Sequence, residues 1–263
     1  MDHFWLTDEQ FARITPHLPT DTRGKERVDD RRVISGIVHV LKSGGRWTEA
    51  PREVYGPKKT LYNRFVRWAA KGVWVGLFET LAQAGGPPSP VLIDSTAVKA
   101  HRCAAGGKGG KQNQAIGRSR GGRTTKIHAL TDRFCRPLAF LLTGGQAADC
   151  KAGTLLLERL PACRIVLADK GYDTDAIRRQ IEAAGAAPNI PPKINRRWKP
   201  CFSPVLYRGR NAIERMFGRP KDFRRIATRY DRLARNDFAA VCLAATVSYW
   251  LLVRTIGWGR RGP

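Results

Sequence analysis

Apolar residues recur at helical spacing through the first third of the chain. Thr7 and Gln10 form a capping box ahead of a first helix that runs to Pro16. Asp29 or Asp30 caps a second, in which Val33, Ile34, Ile37, Val38 and Leu41 make one apolar face, ended at Gly44-Gly45. Pro57 opens a third: Leu61, Phe65 and Trp68 turn inward, while Lys58, Lys59, Asn63, Arg64 and Arg67 project outward. A fourth covers about Val73 to Ala84. This part reads as all-helical.

The period then changes. AGGPPSP, residues 84–90, breaks helices and favours an extended link. Beyond it, Ser89–Ser95 ends a strand, and Thr124–Thr131 with Arg136–Thr143 makes a hairpin across the Asp132–Cys135 turn. An amphipathic helix over Asp149–Leu160, a strand over Arg164–Ala168, a helix over Thr174–Ala184 and a strand over Ala187–Lys193 follow. Helices over Leu206–Phe217 and Asn236–Arg254 close the chain. The order predicts an α/β fold: a mixed sheet with helices on its faces, in the sequence of elements of an RNase H-like domain. Two domains are expected, a helical one over 1–88 and the mixed-sheet one over 89–263.

Charge sharpens that division. Of 263 residues, 47 are Lys or Arg and 22 Asp or Glu, a net charge of +25, which points to a polyanionic partner. Residues 1–90 carry only +4 of it and residues 91–263 carry +21. Short helices with one cationic member suggest a helix-turn-helix-like module whose third helix enters a major groove. A small bundle with a solvated basic face is the plainer alternative. Residues 102–126 are basic, glycine-rich and free of acids, so a mobile loop is expected there, with Arg118, Arg120, Arg123 and Lys126 tracking phosphates. From Lys193 to Arg235 the net charge is +11, and Trp198 stands among those cations, positioned to stack on an unpaired base or simply to pack on the sheet.

Six scattered cysteines without a CxxC pair exclude a dense disulfide framework and the usual zinc-finger spacings. Free thiols in a reducing cytoplasm are expected. The first residues carry neither a cationic nor an apolar leader segment, and the most apolar run, Phe238–Val253, is too short to span a bilayer. It is expected to form a core helix, with no membrane partner.

Three carboxylates carry the candidate chemistry. Asp94 closes the apolar run VLID, Asp169 closes IVLAD, and Glu214 borders the apolar stripe of Ile213, Met216 and Phe217. Each has an ordinary explanation: a cap for Asp94, a turn for Asp169, an ion pair with Arg210 for Glu214. Together, two strand-end carboxylates and a helical one suit two Mg²⁺ ions, with Mn²⁺ as a substitute. Such a pair activates an attacking hydroxyl and stabilises a leaving oxygen at phosphorus. On one helix, Tyr207, Arg210 and Lys221 fall on the face of Glu214, though Pro220 should end or kink it.

With these residues in view, the chain resembles bacterial DDE transposases of insertion-sequence family five, within the insertion-sequence-four-like group. LIDSTAVKAH around Asp94, AIGRSRGGRTTKIHALTD (115–132), LADKGYD around Asp169 and YRGRNAIERMFGRPKDFRRIATRYD (207–231) carry the likeness. The last holds the spaced signature Tyr207, Arg210, Glu214, Lys221. LTDEQ, DDRRVISGIVHVLKSGGRW and YGPKKTLYNRFVRWAAKGVW resemble the helical DNA-binding domain of the same proteins. Residues 45–51 match it only loosely, and Pro220 replaces an apolar, helix-compatible residue. The resemblance implies that Asp94, Asp169 and Glu214 are catalytic metal ligands. It also implies double-stranded DNA, as element ends and target, for a partner, and a dimer or larger assembly on it. Two rivals stand beside this reading: a nuclease that hydrolyses without strand transfer, and a DNA-binding regulator with an inert second half.

Overall fold

A computed structural model describes residues 3–20, 28–107, 110 and 114–251. The N-terminal helices form where capping chemistry and apolar spacing agree. Helix α1 (Asp8–Ile14) starts at the Thr7/Gln10 capping box. Helix α2 (Asp30–Ser43) is capped by Asp29 and stops where Gly44 adopts a left-handed φ of 77°. A short α3 (Arg52–Tyr55) precedes α4 (Lys58–Ala70) and α5 (Val73–Gln83).

The sheet begins with β1 (Val91–Ala100), β2 (Gly117–Ser119), β3 (Gly122–Asp132) and β4 (Pro137–Gly144). After α6 (Asp149–Leu157) come β5 (Ile165–Ala168), α7 (Asp175–Ala183) and β6 (Ala187–Asn189). Strands β1, β3 and β4 form an antiparallel meander, and β5 and β6 add in parallel beyond β1. The resulting order β4-β3-β1-β5-β6, three antiparallel strands followed by two parallel ones, is the RNase H-like arrangement expected from the element order. The chain ends with α8 (Pro204–Tyr207), α9 (Asn211–Lys221), α10 (Arg224–Ala227), a two-residue β7 (Thr228–Arg229) on the far end of β1, and α11 (Ala234–Ala245).

Alternation along β1 sorts its side chains to two faces. Val91 and Ile93 join the core under α6 and α7; Leu92 and Val98 join the core that α9 and α11 cover. The second core also takes in Leu6, Ile37, Phe65, Trp74 and Phe78, so the N-terminal helices share it with the sheet. Helix α11, rich in alanine, packs between them and is buried along most of its length, continuing into a π-helical turn over Thr246–Trp250. Of the apolar run expected to form a core helix, the part up to Trp250 does so, and Leu252 and Val253 lie outside the described residues.

Two expectations change. Strand β1 does not end near Asp94: pairing with β3 continues to Lys99 opposite Thr124, because small and polar residues from Ser95 onward still satisfy the backbone ladder. Asp94 is therefore its fourth residue, in mid-strand. The 102–126 segment is also less loop-like than its composition implied. Gly117–Ser119 and Gly122 onward form a hairpin, Ala104, Thr124 and Thr125 are buried, and only residues 108, 109 and 111–113 lie outside the described set.

Candidate active site

Register alone brings the first two carboxylates together. Ile93 pairs with Ala168 across parallel β1 and β5, so the next residues, Asp94 and Asp169, emerge side by side on adjacent strands. Asp169 leaves the sheet there, and its Oδ1 accepts from the backbone N–H of Gly171 at 2.8 Å, capping the turn Lys170–Tyr172. Asp94 stays in the sheet on the face toward α9. Its Oδ1 accepts from the Ser95 N–H at 2.8 Å, and its Oδ2 accepts from Arg210 Nη1 at 2.5 Å.

Arg210 also donates through Nη2 to Glu214 Oε1 at 3.0 Å, one helical turn further on. A single guanidinium thus joins a mid-strand carboxylate to one on α9. Burial raises the pKa of Asp94, and neighbouring Asp169 adds to that, while the Ser95 N–H and Arg210 act against it. Burial of Arg210 opposes its charge, yet Asp94, Tyr207 and Glu214 outweigh it and hold its pKa above the usual value. Tyr207 lies beside the guanidinium, its ring centroid 5.8 Å away.

Lys221 reaches the same face. Its Nζ donates at 2.6 Å to Thr96 Oγ1, two residues beyond Asp94 and so on the same side of β1. Burial lowers the pKa of this lysine. Pro220 sits buried in the last turn of α9, where the helix ends, and does not displace Lys221 from the strand. Tyr207, however, belongs to α8, separated from α9 by a 3-10 turn over Arg208–Arg210, so the four residues do not share one unbroken helix.

Across the sheet lies a polar group that the sequence reading passed over. Asp149, first residue of α6, accepts from Ser95 Oγ at 2.7 Å and from Lys126 Nζ at 3.0 Å, with His128 Nδ1 3.8 Å away. Tyr172 is buried against these groups; desolvation, then Asp149, Asp94 and Asp169, push its phenol pKa far up. The signal was available in β1, where alternation sends Asp94 and Thr96 one way and Ser95 the other.

The cations expected to meet DNA divide into two sets. Lys58, Lys59, Asn63 and Arg67 are exposed on α4, as are Arg118, Arg120 and Arg123 on the β2–β3 hairpin. Trp198 is 81% exposed, so packing against the sheet does not account for it. Arg64 and Lys126 correct the expectation. Arg64 is 9% exposed, paired with Asp30 and stacked over Trp68, because its position beside Phe65 borders the apolar stripe. Lys126 is held by Asp149 and the Ala147 carbonyl. Arg225 and Arg229, which add to the basic stretch in sequence, are likewise buried with Asp231 and Asp237. Burial, against the pull of Arg229, raises Asp237 to about 7.

Residues 6–78 match the family of IS4/5 transposases, and residues 85–249, more than half the chain, match the transposase DDE domain family. The chain is a member of the DDE transposase family. As a DDE transposase it belongs to metal-dependent, DNA-cleaving enzymes. It is 35% identical over 130 residues to the protein named as transposase for insertion sequence element IS6501 of Brucella ovis, covering 49% of this chain and 98% of that one. It is 34% identical over 120 residues to an uncharacterized protein, y4sN, of Sinorhizobium fredii, covering 44% of this chain and 94% of that one. Among solved structures, the Mos1 transposase paired-end complex with left transposon end aligns over 81% of this chain and 85% of that one, at 11% identity and a TM-score of 0.26.

The donor chemistry suits the divalent metal that the family uses. Carboxylate oxygens are the ligands hard cations take, and the Asp94–Glu214 pair already shares one positive group in Arg210. As the side chains lie, no three His, Cys, Asp or Glu among the described residues stand close enough together to hold an ion. The three carboxylates expected as ligands are not gathered into such a group. All six cysteines are free thiols, and among the described residues no helix is long and apolar enough to cross a membrane.

Proposed function

We propose that this transposase cleaves at insertion-sequence ends and joins the freed 3′-OH to target DNA, with Asp94, Asp169 and Glu214 as catalytic metal ligands. The observation that carries the reading is the convergence of Asp94 and Asp169 by strand register, with Glu214 tied to Asp94 through Arg210. When bound there, two Mg²⁺ ions supply charge neutralisation at the attacking and leaving oxygens, and Mn²⁺ can replace them. Water attacks a phosphodiester at the element end, its P–O bond breaks, and a 3′-OH is released. That hydroxyl then attacks a target phosphodiester in line: a new P–O bond forms, the target strand's own P–O3′ bond breaks and its 3′-OH leaves, so no covalent protein–DNA intermediate forms.

The chain's own residues position the DNA. Arg210 and Lys221 flank Asp94 along β1 and provide cations for the phosphates beside the scissile bond, with Tyr207 next to them. Trp198 offers an exposed ring for an unpaired base, and the β2–β3 hairpin adds Arg118, Arg120 and Arg123. The helical part, 1–88, serves end recognition through Lys58, Lys59, Asn63 and Arg67 of α4. Holding two ends at once calls for at least a dimer on DNA, in the cytoplasm where the element resides. Incubating the protein with a labelled end duplex, plasmid target and Mg²⁺ tests the reaction. Joined donor–target products are expected; cleavage without joining would favour the plain nuclease, and neither would favour the inert regulator.

A further inference from the structure

We infer that Arg210 is the built-in counter-cation of the carboxylate site and is exchanged for metal when DNA phosphate arrives, which couples metal loading to DNA binding. The inference rests on Asp94 and Glu214 being metal ligands, as proposed above. Both oxygens of Asp94 are engaged: Oδ1 by the Ser95 N–H and Oδ2 by Arg210 Nη1. Each oxygen keeps a second lone pair, but the guanidinium occupies Oδ2 and its charge repels another cation, so release of Arg210 opens Asp94 to a metal ion. The same release frees Glu214 Oε1, because the other arm of the guanidinium holds it.

Arg210 has somewhere to go. Its fork geometry suits two oxygens of one phosphate as well as two carboxylates. It stands on the short 3-10 turn between α8 and α9, and the Tyr207 ring lies 5.8 Å from it. Its side chain is 18% exposed and that of Glu214 is 58% exposed, so the bridge faces the solvent from which DNA approaches. A phosphate that draws Arg210 outward leaves two carboxylates uncompensated, and their repulsion then favours a divalent ion. Without DNA, the guanidinium keeps the site neutralised and disfavours metal. By reciprocity, metal that displaces Arg210 makes it available to phosphate, so each partner tightens the other's binding.

Mn²⁺ binding to the full-length protein, followed by the EPR signal of the free ion, reads this exchange without reference to catalysis. In the absence of DNA, Arg210→Gln should bind Mn²⁺ about tenfold more tightly than wild type, the scale of one charge-assisted hydrogen bond no longer to be broken. Adding a short duplex should tighten Mn²⁺ binding by wild type and leave that of Arg210→Gln nearly unchanged. Equal or weaker Mn²⁺ binding by Arg210→Gln, or the same response to duplex in both proteins, would overturn the exchange. Arg210→Lys, which keeps the charge but loses the fork, serves if the glutamine variant does not fold; it should also bind Mn²⁺ more tightly than wild type, and weaker or equal binding overturns the inference. Asp94→Asn separates the two layers. If it leaves Mn²⁺ affinity unaltered, the ligand assignment itself fails. If it abolishes binding while Arg210→Gln changes nothing, only the exchange fails.

Discussion

Phe78 of α5 and Phe140 of β4 stack with ring centroids 5.1 Å apart, and this contact joins the N-terminal helices to the catalytic sheet. Both rings are fully buried in the core that also holds Trp74, Leu92, Ile213 and residues of α11. The N-terminal helices and the sheet are thus built around common apolar packing, although the family matches divide the chain between residues 78 and 85.

A consequence is cooperative unfolding. Phe78→Ala should cost about 3–5 kcal/mol, as for other buried aromatic truncations. Circular dichroism and a probe confined to the helical part should report one urea transition, moved to lower concentration in the variant. Two separated transitions in the wild type would show that the shared core does not couple the parts.

The two kinds of basic residue on α4 should respond differently to substitution. Arg64→Ala removes the ion pair with Asp30 and the stack on Trp68, both made by a largely buried guanidinium, so it should lower stability by about 1–3 kcal/mol. Lys58→Ala, Lys59→Ala and Arg67→Ala should stay within about 0.5 kcal/mol of wild type in stability, as exposed positions do. Each should instead weaken duplex binding and lower the salt dependence by about 0.9 in log–log slope if it meets a phosphate. Thermal denaturation and filter binding over a salt series distinguish the two groups.

His128 supplies a pH dependence. Burial lowers its pKa to about 4, with Asp149 opposing and Lys126 assisting. The folded state therefore resists protonation that the unfolded chain accepts near 6.5. This contribution to stability is fully present above the unfolded pKa and is lost as pH falls from about 6.5 toward 4, by up to about 3 kcal/mol. Urea midpoints measured across that range should fall on acidification, and His128→Gln, which can still meet Thr143, should flatten the slope. An unchanged slope in the variant would assign the acid sensitivity to other groups.

Local chemistry made much of the fold readable. The Thr7/Gln10 box, the Asp29 cap and the glycine stop at Gly44 act within a few residues, so they fixed helix limits without tertiary context. The β3–β4 hairpin was equally plain. The apolar run puts Asp94 at a strand end, whereas backbone pairing carries the strand on past it. Asp149 looked like an ordinary acid in a first helical turn; its contacts with Ser95 and Lys126 lie 54 and 23 residues away and have no local trace. Charge alone turns Arg64 outward, while its position turns it toward the apolar stripe. A guanidinium beside Phe65 can be covered when Asp30 and Trp68 meet it; Trp68 is one helical turn on, but Asp30 lies 34 residues away and leaves no local trace.

The proposed reaction requires Asp94, Asp169 and Glu214 to act as one site. The direct measurement is cleavage of a labelled element-end duplex in Mg²⁺ by Asp94→Asn, Asp169→Asn and Glu214→Gln, with duplex binding recorded in parallel. Each substitution keeps side-chain shape and removes the charge, so each should reduce cleavage to background while leaving end binding at moderate salt intact. Pairs of substitutions should be no worse than single ones, because residues that act as a unit lose function together. Cleavage by Glu214→Gln above a few per cent of wild type would contradict its assignment as ligand, and the same result at Asp94 or Asp169 would contradict the site itself.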